Sequence, residues 1–263
     1  IMKPRQRGGK WPMLAAWLAI ILLIVSAVLV VGVGPAYRLE WLTLGAAFSL
    51  LHLGAYVAVS TGVLGLLTLV VAGYCRRRRP ALIAGLVSLA VVGMMVVPVQ
   101  MMQRDQNVPK IHDITTDLIN PPAFIALAAA REAAPNAVDY PGEDTARQQR
   151  AAYLNIKPIT LDSSLANALT AVQDMVRAQG WKIGAVTENS IEATATTRWF
   201  GFKDDVVIRL KETDKGVQID MRSASRVGKS DVGTKAASSQ ECVAAREQRG
   251  NKRGRGQGKS MRR

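Results

Sequence analysis

The chain has 263 residues and a formal net charge of +14, a length for one or two domains and a charge that at first suits a nucleic-acid partner. Its distribution argues otherwise: residues 1–103 hold nine Lys/Arg against one Asp/Glu, residues 104–245 hold 17 against 18, and residues 246–263 hold eight against one. The middle is near neutral, which excludes a basic globular nucleic-acid-binding face, and three uncharged runs (Trp11–Tyr37, Trp41–Cys75, Pro80–Gln103), each longer than the roughly 18–20 apolar residues that cross a bilayer, exclude a purely soluble protein.

The first run predicts a transmembrane helix over about 13–33. Lys3, Arg5, Arg7 and Lys10 resemble the charged front of a signal peptide, but the apolar stretch exceeds the about 7–15 residues of such a segment, and no small-x-small cleavage site follows. The second run is too long for one upright span. It predicts an interfacial or tilted lead-in over Trp41–Leu51 and a spanning helix over 53–73. Gly54, Ala58 and Gly62 recur every fourth residue, so one face of this helix suits close approach by another helix, in this chain or in a membrane-protein partner. His52 is read as a residue near an interface, since it has no acidic partner in the other runs. A third helix is predicted over 81–101.

Orientation follows from Lys/Arg in the short flanks. Four precede the first run and four form the Arg76–Arg79 loop, whereas the loop between the first two helices has only Arg38 beside Glu40. The arginine run is therefore a topology signal. It keeps the N-terminus and that loop in the cytoplasm of a bacterium, with residues 1–103 in the inner membrane and everything after Gln103 in the periplasm. Cys75 and Cys242 then fall on opposite sides of the membrane, and no metal site or cofactor is expected from two separated thiols.

Residues 104–153 read as mostly irregular, with Asn120 capping a short helix that starts at Pro122 and runs to Arg131. The proline- and asparagine-rich stretch is expected to wrap the sheet that follows. Asp162, Ser163 and Ser164 cap a helix whose stripe is Leu165, Ala168, Leu169, Val172 and Val176, ended by Gly180. Four strands follow: Trp181–Thr187, Ile191–Arg198, Asp204–Lys211 and Val217–Ser223. Matching apolar faces of the last two pairs Leu210 with Val217, Ile208 with Ile219 and Val206 with Met221. That register sets Asp205 opposite Arg222 on the face away from the helix and Asp204 opposite Ser223. The fold class is α+β: a three-helix transmembrane region (1–103), a small two-layer domain with a four-stranded antiparallel sheet (104–233), and a basic tail (234–263).

Three stretches carry a resemblance: IHDITTD (111–117) with NPPAF (120–124), TTRWFGFKDDVVIRL (196–210), and RSASRVGKSDVG (222–233). Over about residues 108–233 they closely resemble the bacterial domain-of-unknown-function family 1499, including its membrane-anchored members. The resemblance implies an exported or membrane-attached α+β domain and no established reaction. The chain departs from the family pattern at Tyr153-Leu154-Asn155 and again after Gly233, where an Arg-rich helix gives way to a low-complexity Arg/Gly/Lys tail.

Candidate chemistry lies in the same stretches. Arg222, Ser223, Ser225 and Arg226 could hold a carboxylate or phosphate by charge-assisted bonds, unless Asp204, Asp205 and Asp231 neutralise the arginines internally. His112, Asp113 and Asp117 supply possible base or ligand groups, with a structural turn as the competing reading of His112-Asp113. The expected function is a non-enzymatic inner-membrane protein whose periplasmic domain binds a partner, lipid or small anion. The alternatives are a periplasmic hydrolase using His112/Asp113 and Asp204/Asp205, for which no G-x-S-x-G or H-E-x-x-H is present, and an accessory subunit of a membrane complex docked through Gly54, Ala58 and Gly62.

Overall fold

A computed structural model describes residues 9–106 and 109–228. Asp231, Cys242 and the basic tail lie outside the described residues. The chain forms two units, one holding 9–104 with 198–201 and the other the remaining described residues.

The membrane unit is built on helices α1 (Trp11–Arg38), α2 (Leu44–Tyr74) and α3 (Arg78–Gln106), each with a stretch long and apolar enough to cross a membrane. Their packing inverts that of a water-soluble bundle. Leu14, Ile21, Ile24, Val59, Val63, Leu66, Leu82 and Leu86 point outward, while Ala16, Ala19, Ala58, Thr61, Thr68 and Ala84 are inside. In lipid there is no hydrophobic gain from hiding large side chains, and small ones let backbones approach. A Cβ on Gly54 would lie 2.9 Å from Leu29 Cβ, and one on Gly62 would lie 3.3 Å from Val91 Cγ1. The close approach expected along Gly54, Ala58 and Gly62 is therefore made by α1 and α3 of this chain. Thr43 caps the helix by accepting from the Ala46 N–H at 3.3 Å, and α2 runs unbroken from Leu44, so most of the lead-in expected over Trp41–Leu51 is the first part of the same helix. No proline interrupts it, and at 31 residues it spans about 46 Å, longer than the roughly 30 Å hydrocarbon core.

The α+β unit contains β1 (Asp113–Thr115), α4 (Ala128–Glu132), α5 (Glu143–Ala152), β2 (Ile159–Leu161), α6 (Leu165–Ala178), β3 (Lys182–Val186), β4 (Ser190–Thr196), β5 (Lys203–Thr213) and β6 (Gly216–Ser225). The sheet has six strands in place of the expected four, all antiparallel, in the order β1-β6-β5-β4-β3, with β2 also on β6. Strands β1 and β2 lie end to end along β6, opposite 222–224 and 217–219. Three residues each are too few to show a two-residue alternation, which is why pattern reading passes over them.

Helix α6 behaves as its sequence requires. The Ser164 hydroxyl accepts from the Asn167 N–H, and Gly180 ends the helix at φ +72°. Its Ala168, Val172, Met175 and Val176 pack on Leu161, Ile191, Val206, Ile208, Leu210, Val217, Ile219 and Met221. The helix expected from Pro122 is corrected to the short α4 at Ala128. The preceding residues are irregular because Glu192 captures the N–H groups of 125–127, as described below.

The β5–β6 register is also corrected. Leu210 faces Ile219, Ile208 faces Met221, and Val206 faces Ser223, a shift of two residues from the expected pairing. A shift of two keeps every side chain on its face, so the apolar alternation accepts both registers and the turn decides. Thr213 pairs directly with Gly216, leaving a two-residue connection, and Gly216 sits at φ +116° with the Leu161 carbonyl 2.1 Å from where a Cβ would stand. Asp205 thus faces Ala224, Arg222 faces Val207, and the expected Asp205–Arg222 and Asp204–Ser223 pairs do not form.

Candidate functional site

The second face of the sheet, opposite α6, carries the charges. Segment 117–142 crosses it, as expected of the proline- and asparagine-rich stretch, and Phe124 packs on Val207 and Ala224 with Leu127 and Val138 alongside. Around this small apolar patch lie Asp113, Arg131, Asp205, Asp220, Glu192 and Arg222, all at most 4% exposed.

Arg222 is tied at every terminal nitrogen. Its Nε donates to Asp113 Oδ1 and Oδ2 at 3.1 and 3.2 Å, Nη2 to Asp113 Oδ2 at 2.8 Å and to the Val138 carbonyl at 2.7 Å, and Nη1 to the Pro122 carbonyl at 3.2 Å. Asp205 collects a second set. It accepts from Arg226 Nε and Nη2 at 2.7 and 2.9 Å, from Arg131 Nη1 at 3.2 Å and from Thr194 Oγ1 at 2.8 Å. Arg131 also donates to the carbonyls of Ala224 and Ala137, both at 2.9 Å. Both guanidiniums stand over the Phe124 ring, 4.7 Å (Arg131) and 4.8 Å (Arg222) from its centre, so the aromatic face supplies cation–π attraction where water is excluded.

Burial sets the electrostatics. It pushes the Asp113 carboxyl above the usual carboxylate range, against the pull of Arg222 and, more weakly, of Arg131 and His112. It holds Arg131 below the ordinary guanidinium value, against the charges of Asp205 and Asp113. Tyr140 is pushed up to about 12, first by burial and then by the nearby Asp113 charge.

The other carboxylates on this face position backbone. Glu192 Oε1 accepts the N–H groups of Ile125 and Ala126 at 2.9 and 3.0 Å, and Oε2 that of Leu127 at 2.9 Å. Negative charge there also faces the positive end of α4. Asp117 Oδ1 accepts from the N–H groups of Ile119 and Asn120, while its Oδ2 meets Arg209 Nη2 at 3.0 Å. Arg209 also reaches the Asn120 carbonyl and Asp220. On β1, the Gln149 side chain accepts from Thr115 N–H at 3.0 Å and donates to Thr115 carbonyl at 2.6 Å, imitating a neighbouring strand.

The sequence candidates thus divide across the sheet. Asp113, Asp117, Asp205, Arg222 and Arg226 meet on the face away from α6. Asp204, Ser223 and Ser225 lie on the α6 face, where Ser225 Oγ donates to Asp204 and its N–H to the His112 carbonyl at 2.8 Å. Neighbouring residues in extended chain project oppositely, so Asp204/Asp205 is no paired set, and Asp113 turns to Arg222. Internal neutralisation of Arg222 and Arg226 is what the geometry shows; it runs through Asp113 and Asp205, not Asp204. Among the described residues, no three His, Cys, Asp or Glu side chains cluster as a metal site.

Sequence reading missed Arg131, Glu192, Arg209, Asp220, Phe124 and Tyr140. One signal was available: Asp205 and Arg209 alternate along β5, as do Asp220 and Arg222 along β6, on one face of two long strands. Such a face is either solvated or covered by a polar network, and the segment that covers it comes from far upstream.

No curated protein matches the chain. A family model described as a protein of unknown function (DUF1499) matches residues 113–245, a span that takes in the whole ionic face and continues beyond Gly233. The chain is a member of the DUF1499 family, with three apolar helices ahead of its α+β domain.

Proposed function

We propose that this protein is a non-enzymatic docking protein of the bacterial inner membrane, whose α+β domain engages a protein partner on the periplasmic side. The observation that carries the reading is the loop over 117–127. It is held at both ends by buried or half-buried charges, Asp117 with Arg209 and Glu192 with three N–H groups, yet it displays Ile119 at 89% and Ile125 at 81% exposure. An ordered loop that presents large apolar side chains to water is pre-organised for association, because little further ordering accompanies binding. The small-anion alternative has less support, since the donors of Arg222 and Arg226 serve internal carboxylates and carbonyls. The Gly54–Ala58–Gly62 stripe is likewise already packed by α1 and α3. The arginine asymmetry between loops supports the periplasmic placement.

The test is site-specific photocrosslinking in cells. A photoreactive residue at 119 or 125 is expected to give one discrete adduct that the same residue at exposed Lys215 does not. Equal labelling at all three positions, or none, would refute the docking reading. A phosphatase fused after Gly233 is expected to be active only if the domain is exported.

A further inference from the structure

Residues 198–201, the RWFG stretch between β4 and β5, belong to the membrane unit. They fill a defect that the sequence of α1 creates. Pro35 has no N–H, so the carbonyl of Val31, four residues earlier, has no donor within the helix. Trp199 supplies one: its indole Nε1–H donates to the Val31 carbonyl at 3.0 Å. Gly34 makes the approach possible, since a Cβ there would stand 2.5 Å from that same nitrogen. The rest of the segment is held as closely. Arg38 Nη1 donates to the Arg198 carbonyl at 3.2 Å. Phe200, 8% exposed, meets Tyr37 of α1 and Phe48 of α2, with ring centres 6.0 and 6.1 Å away. Gly201 takes φ +73° against the Arg38 side chain, where a Cβ would lie 3.0 Å from Cγ.

We infer that Arg198–Gly201 is a latch: Trp199 plugs the notch that Gly34 and Pro35 open in α1, and seating or release of the plug couples the β4–β5 hairpin to that helix. Near lipid an unmet carbonyl is costly, and a proline inside a spanning helix is tolerated where a neighbouring group supplies the missing partner. Here the donor lies 168 residues along the chain, so the helix is complete only while the connection is seated. Tryptophan suits the place because its ring is apolar and its N–H polar, as at the edge of a bilayer. Thr197 ties the two strands directly behind the plug: its N–H donates to the Phe202 carbonyl and its Oγ1 accepts from the Phe202 N–H, both at 2.9 Å. Displacement of Trp199 is therefore passed to β4 and β5 and not absorbed in a loose loop.

The test is hydrogen exchange with mass spectrometry on the full chain in lipid nanodiscs. Gly34→Ala sets a methyl group against the indole, whereas Gly32→Ala, where a Cβ meets nothing within 4 Å, is the control in the same helix. Alanine favours a helix over glycine, so lost helix propensity cannot account for any loosening. Gly34→Ala is expected to accelerate exchange at 197–203 about tenfold, and Gly32→Ala to change it less than about twofold, with the amides of β6 unchanged in both. In the reverse direction Trp199→Phe keeps an aromatic ring and removes the donor, and is expected to accelerate exchange at 36–39 about tenfold. Equal exchange at 197–203 in Gly34→Ala and Gly32→Ala would overturn the latch. So would a Trp199→Phe protein with unaltered exchange at 36–39, or a Gly34→Ala protein whose β6 amides loosen as much as 197–203.

Discussion

Replacing Glu192 with glutamine changes one atom and should loosen the whole loop at 117–127. The carboxylate is 4% exposed and accepts three backbone N–H groups at 2.9–3.0 Å. A glutamine in the same place keeps one oxygen, enough for two of them. The third N–H then faces an amide NH₂ and is left without an acceptor. Loss of charge assistance weakens each of the two surviving bonds by about 1 kcal/mol, and the orphaned donor adds about 1–3 kcal/mol, for a total of about 3–5 kcal/mol. If the loop opens locally, amide exchange at 125–127 should accelerate at least about 100-fold, the lower end of that range expressed as a change in the opening equilibrium. Hydrogen exchange with mass spectrometry on the full chain reads this directly, with the amides of β5 as an internal reference. Exchange at 125–127 altered by less than about threefold would show that the apolar packing of Phe124 and Leu127 holds the loop without Glu192.

Two further outcomes follow from the ionic face. Asp113→Asn and Arg222→Met should each destabilise by about 3–5 kcal/mol by stranding a buried partner, whereas the double substitution should fall well below their sum, because burial of the ion pair is itself unfavourable; a double-mutant cycle with additive values would deny the coupling. Tyr140, held near 12 in the folded state against 10 for an ordinary phenol, favours the folded state fully below pH 10. That contribution fades as pH rises from 10 through 12, so a Tyr140→Phe protein should lose less stability across this window than the unmodified chain, as followed by denaturation at fixed pH.

Much of the architecture was legible before any coordinates. Uncharged runs longer than a bilayer is thick can only be accommodated in lipid, and a 3.6-residue stripe capped by Ser164 and closed by Gly180 specifies α6 from local forces alone. The long strands β4 to β6 were visible for the same reason, since seven to eleven alternating residues carry their own pattern. The short strands β1 and β2 were not, because three residues acquire extended structure only by pairing with β6. The family resemblance, carried by 111–124, 196–210 and 222–233, reached the same domain by motif.

The face of each charged residue was also written in the alternation, and Asp205 was named with Asp204 and Asp231 as a potential internal partner of Arg222 and Arg226, whereas Asp113 was read as a base, a ligand or a turn residue. Their partners were not written there. Two registers one period apart place the same residues on the same faces, and the two-residue turn ending at Gly216 chose between them. That choice separated Asp205 from Arg222 and left each to a different neighbour. Arg131 lies 74 residues from Asp205, and Glu192 lies 65 residues from Leu127. Local propensity carries no information at such distances. Composition and periodicity, being local, determined that the chain has membrane helices and an α+β domain; long-range packing alone decided that its most charged surface would be sealed inside, leaving Ile119 and Ile125 to face the water.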